Sequence, residues 1–161
     1  MIGMPTVIDG NNLIGSSPEM SLGDPNARRR MVQLLQHYQR SRKGKLIVVF
    51  DGEPDPDLPG EKHSDRFAVV FPKFGQTADD EIKSILNRYH DHRNVLLVSS
   101  DRELKSFARS KGAKTMNSIE FYFHLKKISR EIDAKAESSK RIHTTITSKE
   151  VDHWLKVFED D

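Results

Sequence analysis

The stretch Leu46-Ile47-Val48-Val49-Phe50-Asp51 is an unbroken apolar run that ends in an aspartate. Such a run is typical of a strand in a parallel sheet that helices cover on both faces. The same pattern recurs at residues 7–9 and 94–101, and another apolar run at residues 67–71 is closed by a proline. Residues 113–116 are a short candidate strand. These runs predict the strands of one central sheet.

Segments with apolar residues at helical spacing separate these strands. Asp24 and Pro25 form a helix start, as N-cap and first helical residue, and this helix is predicted to end near Lys43. Further helices are predicted from Thr77 onward, over residues 102–110 and over residues 118–130. Residues 15–25 and 52–62 are predicted to be loops. The alternation predicts an α/β fold, a three-layer sandwich with a central parallel sheet, which binds ligands outside the carboxyl ends of its strands.

Composition limits the classes of function. The 161 residues are 31% charged and 35% hydrophobic, which fits one solvated domain with a modest core. We find no apolar run near the ~20 residues of a membrane helix and expect no secretory signal. The absence of cysteine excludes disulfides and thiolate nucleophiles and favours a cytoplasmic location. The net charge of +2 says little about partners, and the basic clusters are interpreted as solvated helix faces.

The C-terminal part differs in character from the rest. Residues 131–148 are polar and lack clear periodicity, so we predict a linker there. An amphipathic helix should follow, with an apolar stripe formed by Val151, Trp154, Leu155 and Phe158. The predicted organisation is therefore a domain at 1–130 and a linker plus C-terminal helix at 131–161. We expect the stripe to dock on its own domain; a second copy or another partner is the alternative.

Acidic residues gather at one predicted edge of the sheet. Three strands end in Asp9, Asp51 and Asp101, and Asp79 and Asp80 begin a helix that follows a strand. Each one alone is explained by turn or helix-capping chemistry. Together they are not, because two carboxylates ~4 Å apart repel by about 4 kcal/mol at a protein-like effective dielectric. A divalent cation with oxygen ligands, Mg²⁺ or Mn²⁺, would offset this repulsion and could activate water for displacement at phosphorus.

Four motifs in this order and spacing resemble a known family. They are Val7-Ile8-Asp9-Gly10-Asn11-Asn12, Val48-Val49-Phe50-Asp51, Thr77-Ala78-Asp79-Asp80 and Ser99-Ser100-Asp101-Arg102. The chain resembles the NYN domain group of the PIN-like nuclease superfamily, in its YacP-like branch of ribosome-associated endoribonucleases. The resemblance runs from about residue 4 to residue 130 and extends to the C-terminal helix. It implies a PIN-like sandwich and Mg²⁺- or Mn²⁺-dependent cleavage of RNA, with the ribosome as a partner.

The resemblance also implies roles for single residues. The core metal-binding acids would be Asp9, Asp79 and Asp101, with Asp80 as an additional member and Asp51 as a weaker one. Asn12 would be a neutral catalytic-site group that hydrogen-bonds a metal-bound water or a phosphate. One departure is Asn11, where YacP-like sequences often carry an aromatic residue; we expect it to alter local packing or substrate contacts rather than the acid set.

Basic residues near the predicted rim should contact the RNA backbone, which gives affinity without sequence information. The candidates are Lys62, Arg66, Lys73, Arg102 and Lys105. Specificity is then expected from the loop at residues 52–62 or from a partner. The sequence leaves the oligomeric state open.

Other functions fit the same residues less well. A phosphatase of the haloacid-dehalogenase type needs a second acid two residues after the first, where this chain has Asn11. No glycine-rich phosphate loop is present, and the seven histidines show no ligand-like spacing. The serious alternative is a PIN-like module that has lost catalysis and serves in RNA binding or scaffolding.

Overall fold

The computed structural model describes residues 4–56, 58 and 62–160, and the side chains of residues 62–64 and 141–160 lie outside that description. Six strands are present in the described chain: β1 (Thr6–Asp9), β2 (Leu46–Val49), β3 (Lys62–Ser64), β4 (Phe67–Val70), β5 (Leu96–Val98) and β6 (Lys114–Met116). The helices are α1 (Gly10–Ser16), α2 (Ala27–Arg40), α3 (Ala78–Arg88), α4 (Arg102–Ser110) and α5 (Ser118–Asp160), with a 3₁₀ turn at His92–Asn94.

The strands form one sheet in the order β3-β4-β2-β1-β5-β6. Five of them are parallel, and only β3 runs antiparallel, beside β4. The chain passes from β1 to one side of the sheet and then returns to β5 on the other side. Strand order therefore reverses between β1 and β5, which pair directly with Ile8 opposite Val98. This confirms the predicted α/β fold and fixes where its ligand-binding crevice should lie.

The central strands are buried because helices cover both faces of the sheet. All four residues of β1 and of β2 are buried. On one face, Val7 and Leu97 belong to a cluster with Ile82 and Leu86 of α3 and with residues of α4. Tight burial of the strands holds their carboxyl ends, where the acidic residues stand, in a fixed register.

Two short elements were not predicted. The helix α1 covers the segment expected to be a turn, although glycine and asparagine are poor helix formers. Its buried Leu13 and Ile14 provide the packing that offsets this low propensity. The strand β3 is polar and three residues long, so it carries no apolar alternation, and only backbone pairing with β4 defines it.

The C-terminal segment is helical throughout. The helix α5 runs without interruption from Ser118 to Asp160, so residues 131–148 are helical, and their role as a linker stays a prediction. Gly112 is the last glycine and Pro72 the last proline of the chain, and a polar segment without helix breakers can continue a helix. The chain divides into two compact units, Met1–Lys126 and Lys127–Asp161. The predicted apolar stripe at residues 151–158 falls on side chains outside the described part, so its docking stays a prediction.

Within the described part of the chain, none of the helices combines the length and the apolar character needed to cross a bilayer.

Candidate active site

Asp9 is the most buried acidic residue at the carboxyl edge of the sheet, with 6% of its surface exposed. Its Oδ2 accepts a hydrogen bond of 3.0 Å from the Ser99 hydroxyl. Burial is the main reason that the pKa of Asp9 rises from 3.8 to about 6. The negative charges of Asp79 and Asp51 add to the rise, whereas the Ser99 hydroxyl and the Asn12 backbone N–H oppose it. The carboxylate therefore lies in a site that disfavours its charge when no cation is bound.

Ser99 links two of the acidic residues. It is fully buried, donates to Asp9, and its Oγ accepts a hydrogen bond of 3.1 Å from the Asp101 backbone N–H. The hydroxyl therefore fixes the end of β1 against the residue that opens α4. Sequence reasoning gave Ser99 no role, although its position between a buried strand and an aspartate was the available signal.

Asp79 joins the same group from the first turn of α3. Partial burial raises its pKa most, the charges of Asp101 and Asp51 raise it further, and Lys83 opposes them. Because the charges of Asp51 and Asp79 act on Asp9, and those of Asp51 and Asp101 act on Asp79, we refer to Asp9, Asp51, Asp79 and Asp101 as the acidic cluster. The structure thus brings together four of the five predicted metal-binding acids.

Two members of the cluster also hold helix N-termini. Asp51 Oδ1 accepts a hydrogen bond of 2.9 Å from the backbone N–H of Ala78. Asp101 Oδ1 accepts one of 3.0 Å from Leu104 N–H, as the N-cap of α4. The second carboxylate oxygen of each makes no hydrogen bond within the described residues. Each side chain therefore anchors a helix and keeps one oxygen for a ligand.

Asp80 has a different role. Its carboxylate accepts a hydrogen bond of 3.1 Å from Thr77 N–H, and its own N–H donates to Thr77 Oγ1 at 3.2 Å. This reciprocal pair is a capping box, which stabilises a helix start without any ligand. Asp80 is exposed and is not among the main causes of the raised pKa of Asp9 or Asp79. The structure accounts for it as a helix cap.

Asn12 belongs to a closed ring of hydrogen bonds. Its Oδ1 accepts from Ser100 N–H at 2.8 Å and from the Ser118 hydroxyl at 2.6 Å. Ser118 N–H in turn donates to Ser100 Oγ at 3.1 Å. Because both bonds need an acceptor, the oxygen is assigned and only the NH₂ group of Asn12 is left for a ligand. We refer to these three residues as the Asn12 ring; it ties α1, the β5–α4 connection and α5 together.

Gly10 and Asn11, at the start of α1, contact the residues at the end of β2. A Cβ at Gly10 would lie 2.5 Å from Phe50 Cδ1 and 2.9 Å from the Val49 carbonyl oxygen, so only glycine fits. Asn11 Oδ1 accepts a hydrogen bond of 3.1 Å from Asp51 N–H. The residue that departs from the family pattern therefore positions a member of the acidic cluster.

The predicted basic residues divide between the two edges of the sheet. Lys73, Arg102 and Lys105 follow the carboxyl ends of strands, on the edge of the acidic cluster; the Lys105 ammonium donates to Asn117 Oδ1 at 2.7 Å. Arg66 directly precedes β4 and donates to the Arg42 backbone carbonyl, so it lies at the opposite edge. This position is away from the acidic cluster, and the contact of Arg66 with RNA stays a prediction. The Lys62 side chain lies outside the described residues.

A further cation at this edge was missed. Arg28 Nη2 donates to the Asp51 carbonyl oxygen at 2.6 Å, and its guanidinium lies 5.5 Å from the Phe50 ring centre and 5.7 Å from that of Phe71. Cation–π contacts of this kind hold a guanidinium in place. In the sequence Arg28 is one of three consecutive arginines, which gave no means of choosing between them.

The donor atoms of the acidic cluster are of the kind that divalent cations prefer. No three acidic or histidine side chains in the described part of the chain form a ready-made coordination shell. The acidic cluster nevertheless supplies only oxygen donors, and it contains two carboxylates whose charge the site disfavours. Mg²⁺ is usually bound by one or two carboxylates, with waters and substrate phosphate completing its shell. The residues therefore fit an ion held by few protein ligands.

Residues 6–159 match a family model described as "YacP-like NYN domain". The chain is 27% identical over 161 residues to "Uncharacterized protein YacP" of Bacillus subtilis (strain 168), which covers 95% of this chain and 93% of the relative. The crystal structure of Rae1 (YacP) from Bacillus subtilis is similar with a TM-score of 0.69 at 26% identity, covering 96% of this chain and 92% of that chain. A single-residue mutant of the same protein gives a TM-score of 0.68 at 23% identity, over 85% and 84% of the two chains.

Proposed function

The chain belongs to the YacP-like NYN domain family, whose fold is of the nuclease type, and on that premise we propose that it is a metal-dependent endoribonuclease. The observation that carries the proposal is the acidic cluster at the reversal point between β1 and β5, where neighbouring acids help to raise the pKa of Asp9 and of Asp79. A fold keeps such repulsion where a cation is to be bound.

In this proposal Asp9, Asp79 and Asp101 hold Mg²⁺ or Mn²⁺, and Asp51 assists through its second oxygen. Such an ion, when bound, stabilises charge on a phosphate and lowers the pKa of a coordinated water. Ser99 keeps Asp9 and Asp101 in fixed orientation, since it bonds to both. Asp80 is left out because its carboxylate caps α3.

The reaction is hydrolysis of an RNA phosphodiester. Water attacks phosphorus, the bond to the 3′ oxygen breaks, and the products carry a 5′-phosphate and a 3′-hydroxyl. Arg28, Lys73, Arg102 and Lys105 supply positive charge on the same edge of the sheet, and contacts of this kind give affinity that falls with salt. The ribosome is an expected partner on the family resemblance alone.

The test is a cleavage assay on labelled RNA with Mn²⁺. Metal ligands contribute several kcal/mol to transition-state stabilisation, so Asp9→Asn and Asp101→Asn should each lower the rate by at least about 100-fold. Asp80→Asn should remain active. Asp91→Asn is the matched control, because Asp91 caps the 3₁₀ turn before β5 and Asn also serves as an N-cap.

Three outcomes separate the alternatives. Loss of cleavage in both cluster variants, with 5′-phosphate ends from the wild-type protein, supports the nuclease. RNA binding without cleavage by any of the proteins favours the inactive RNA-binding module. Products with 2′,3′-cyclic phosphate contradict the mechanism, because they arise when the ribose hydroxyl, rather than water, attacks phosphorus.

A further inference from the structure

Phe74 is the most exposed large apolar residue of the described chain, with 101% of its reference surface accessible, compared with 58% for Phe123. A turn presents it outward. Gln76 N–H donates to the Lys73 carbonyl at 2.9 Å, and Gly75 has a φ of +80° while Phe74 does not have a positive φ. These are the marks of a type II turn with Phe74 at its first corner. Its backbone is fixed while its ring contacts solvent.

The turn stands beside the acidic cluster. It joins the carboxyl end of β4 to the start of α3, where Ala78 N–H bonds to Asp51. Phe74 is five residues from Asp79, so their Cα atoms are at most about 17 Å apart. The ring borders an open groove of about 480 Å³ that residues 52–54 and 72–76 line, with Lys73 on the side of the ring and Glu53 on the other segment.

We propose that Phe74 is a stacking platform for one unpaired base of single-stranded RNA, with Lys73 contacting a neighbouring phosphate. The inference rests on the proposed function and adds to it a residue that contacts the substrate. An aromatic ring next to a cation is the combination that binds single strands, because every base offers a flat face and the backbone is anionic. Bases within a duplex are already stacked on one another, so the platform selects unpaired RNA near the cut site.

The test measures binding in the Asp9→Asn background, so that the RNA stays intact. The probes are a single-stranded oligonucleotide carrying 2-aminopurine and a blunt duplex of the same sequence. Phe74→Ala should weaken single-strand binding by at least about fivefold and reduce the quenching of 2-aminopurine. Phe74→Trp should restore both, and Phe123→Ala is the matched control with unchanged binding. Duplex affinity should not respond to Phe74→Ala.

The salt dependence of binding distinguishes the stacking contact of Phe74 from the phosphate contact of Lys73. Phe74→Ala should leave the slope of log affinity against log salt unchanged, because stacking releases no counterions. Lys73→Gln should reduce that slope by about 0.7, the value for one phosphate contact on a single strand. Both substituted side chains are exposed, so neither variant removes core packing.

The outcomes that overturn the inference are distinct from those that overturn the proposed function. If the wild-type protein cleaves RNA but Phe74→Ala binds single strands normally, the platform is refuted and the nuclease stands. The platform is also refuted if Phe74→Ala loses affinity equally for the single strand and for the duplex. Normal RNA binding by Phe74→Ala together with loss of ribosome co-sedimentation would assign the ring to a protein contact instead. If the Asp9→Asn protein with its native Phe74 binds no RNA, both the stacking platform and the proposed nuclease function are refuted.

Discussion

Replacing Asp9 by asparagine should make the metal-free protein more stable while it abolishes the proposed activity. Asp9 is 94% buried and surrounded by other acids, so its ionised form lowers the stability of the folded state. Asparagine is nearly isosteric and can still accept the hydrogen bond from Ser99. The substitution therefore removes the charge and keeps the packing.

The magnitude follows from the pKa of Asp9, which is about 6 in the folded protein against an ordinary value of 3.8. Between these values the folded state keeps its proton while the unfolded chain releases it. The free energy of unfolding of the wild-type protein therefore falls as pH rises through this window. One pKa unit corresponds to about 1.4 kcal/mol, so the full effect is about 3 kcal/mol above pH 6.

The assay is thermal or urea unfolding of both proteins from pH 3.5 to pH 8, with a chelator present. The two proteins should be nearly equal at pH 3.5, and Asp9→Asn should be more stable by about 3 kcal/mol at pH 8. For a chain of this length that difference corresponds to about 6–12 °C in Tm. Mn²⁺ should stabilise the wild-type protein and reduce the difference, because the cation favours the charged form of Asp9.

Two results would refute this reasoning. One is a difference in stability that stays constant with pH, which would mean that the Asp9 carboxyl does not titrate differently in the folded chain. The other is an Asp9→Asn variant that is less stable at pH 8, which would mean that its hydrogen bonds outweigh the burial of charge. Asp91→Asn controls for general effects of removing an aspartate, since the Asp91 side chain is 49% exposed.

Further predictions concern the packing around the site and the C-terminal helix. Gly10→Ala should lower the free energy of unfolding by about 1–3 kcal/mol, because the new methyl group would overlap Phe50 and the Val49 carbonyl; an unchanged Tm would contradict the close packing. Asn12→Ala should cost about 1–3 kcal/mol of stability even without RNA, since it leaves partners of the Asn12 ring unpaired; urea unfolding measures this, and a loss confined to activity would argue against a positioning role. Ala134→Pro lies inside α5 and should lower helical circular dichroism, since proline in a helix interior costs about 3 kcal/mol; no change would indicate that residues 131–148 are a linker after all.

The fold could be predicted because its main signal is local. The runs at residues 7–8, 46–50 and 95–98 are apolar on both faces, which is typical of strands in a covered parallel sheet. The common location of the strand-terminal acids could be predicted from the same pattern, because the carboxyl ends of parallel strands lie at one edge of the sheet. The continuous helix α5 was missed because its polar stretch has no periodic apolar face, which is the signal on which the helix prediction relied.

The details of the site could not be predicted because they depend on contacts between distant parts of the chain. The hydrogen bond from Ser99 to Asp9 joins residues that are 90 positions apart, and no local sequence pattern predicts it. In the sequence, Asp80 fits both a helix-capping position and a family motif of metal-binding acids. Only the structure shows that its carboxylate contacts Thr77. Arg66 and Lys73 look alike in sequence, yet they stand before and after the same strand and hence at opposite edges.

The Asn12 ring has a consequence for how the protein is made. Its members come from the first and last parts of the compact unit, since Asn12 and Ser118 are 106 positions apart. Contacts of such long range form late, after the intervening chain has closed on itself. A nascent chain therefore carries all four members of the acidic cluster before it can complete the ring beside them. The positioning of Asn12 and the β5–α4 connection is finished only when translation has passed Ser118, so the candidate site would stay incomplete until nearly its whole domain has been synthesised.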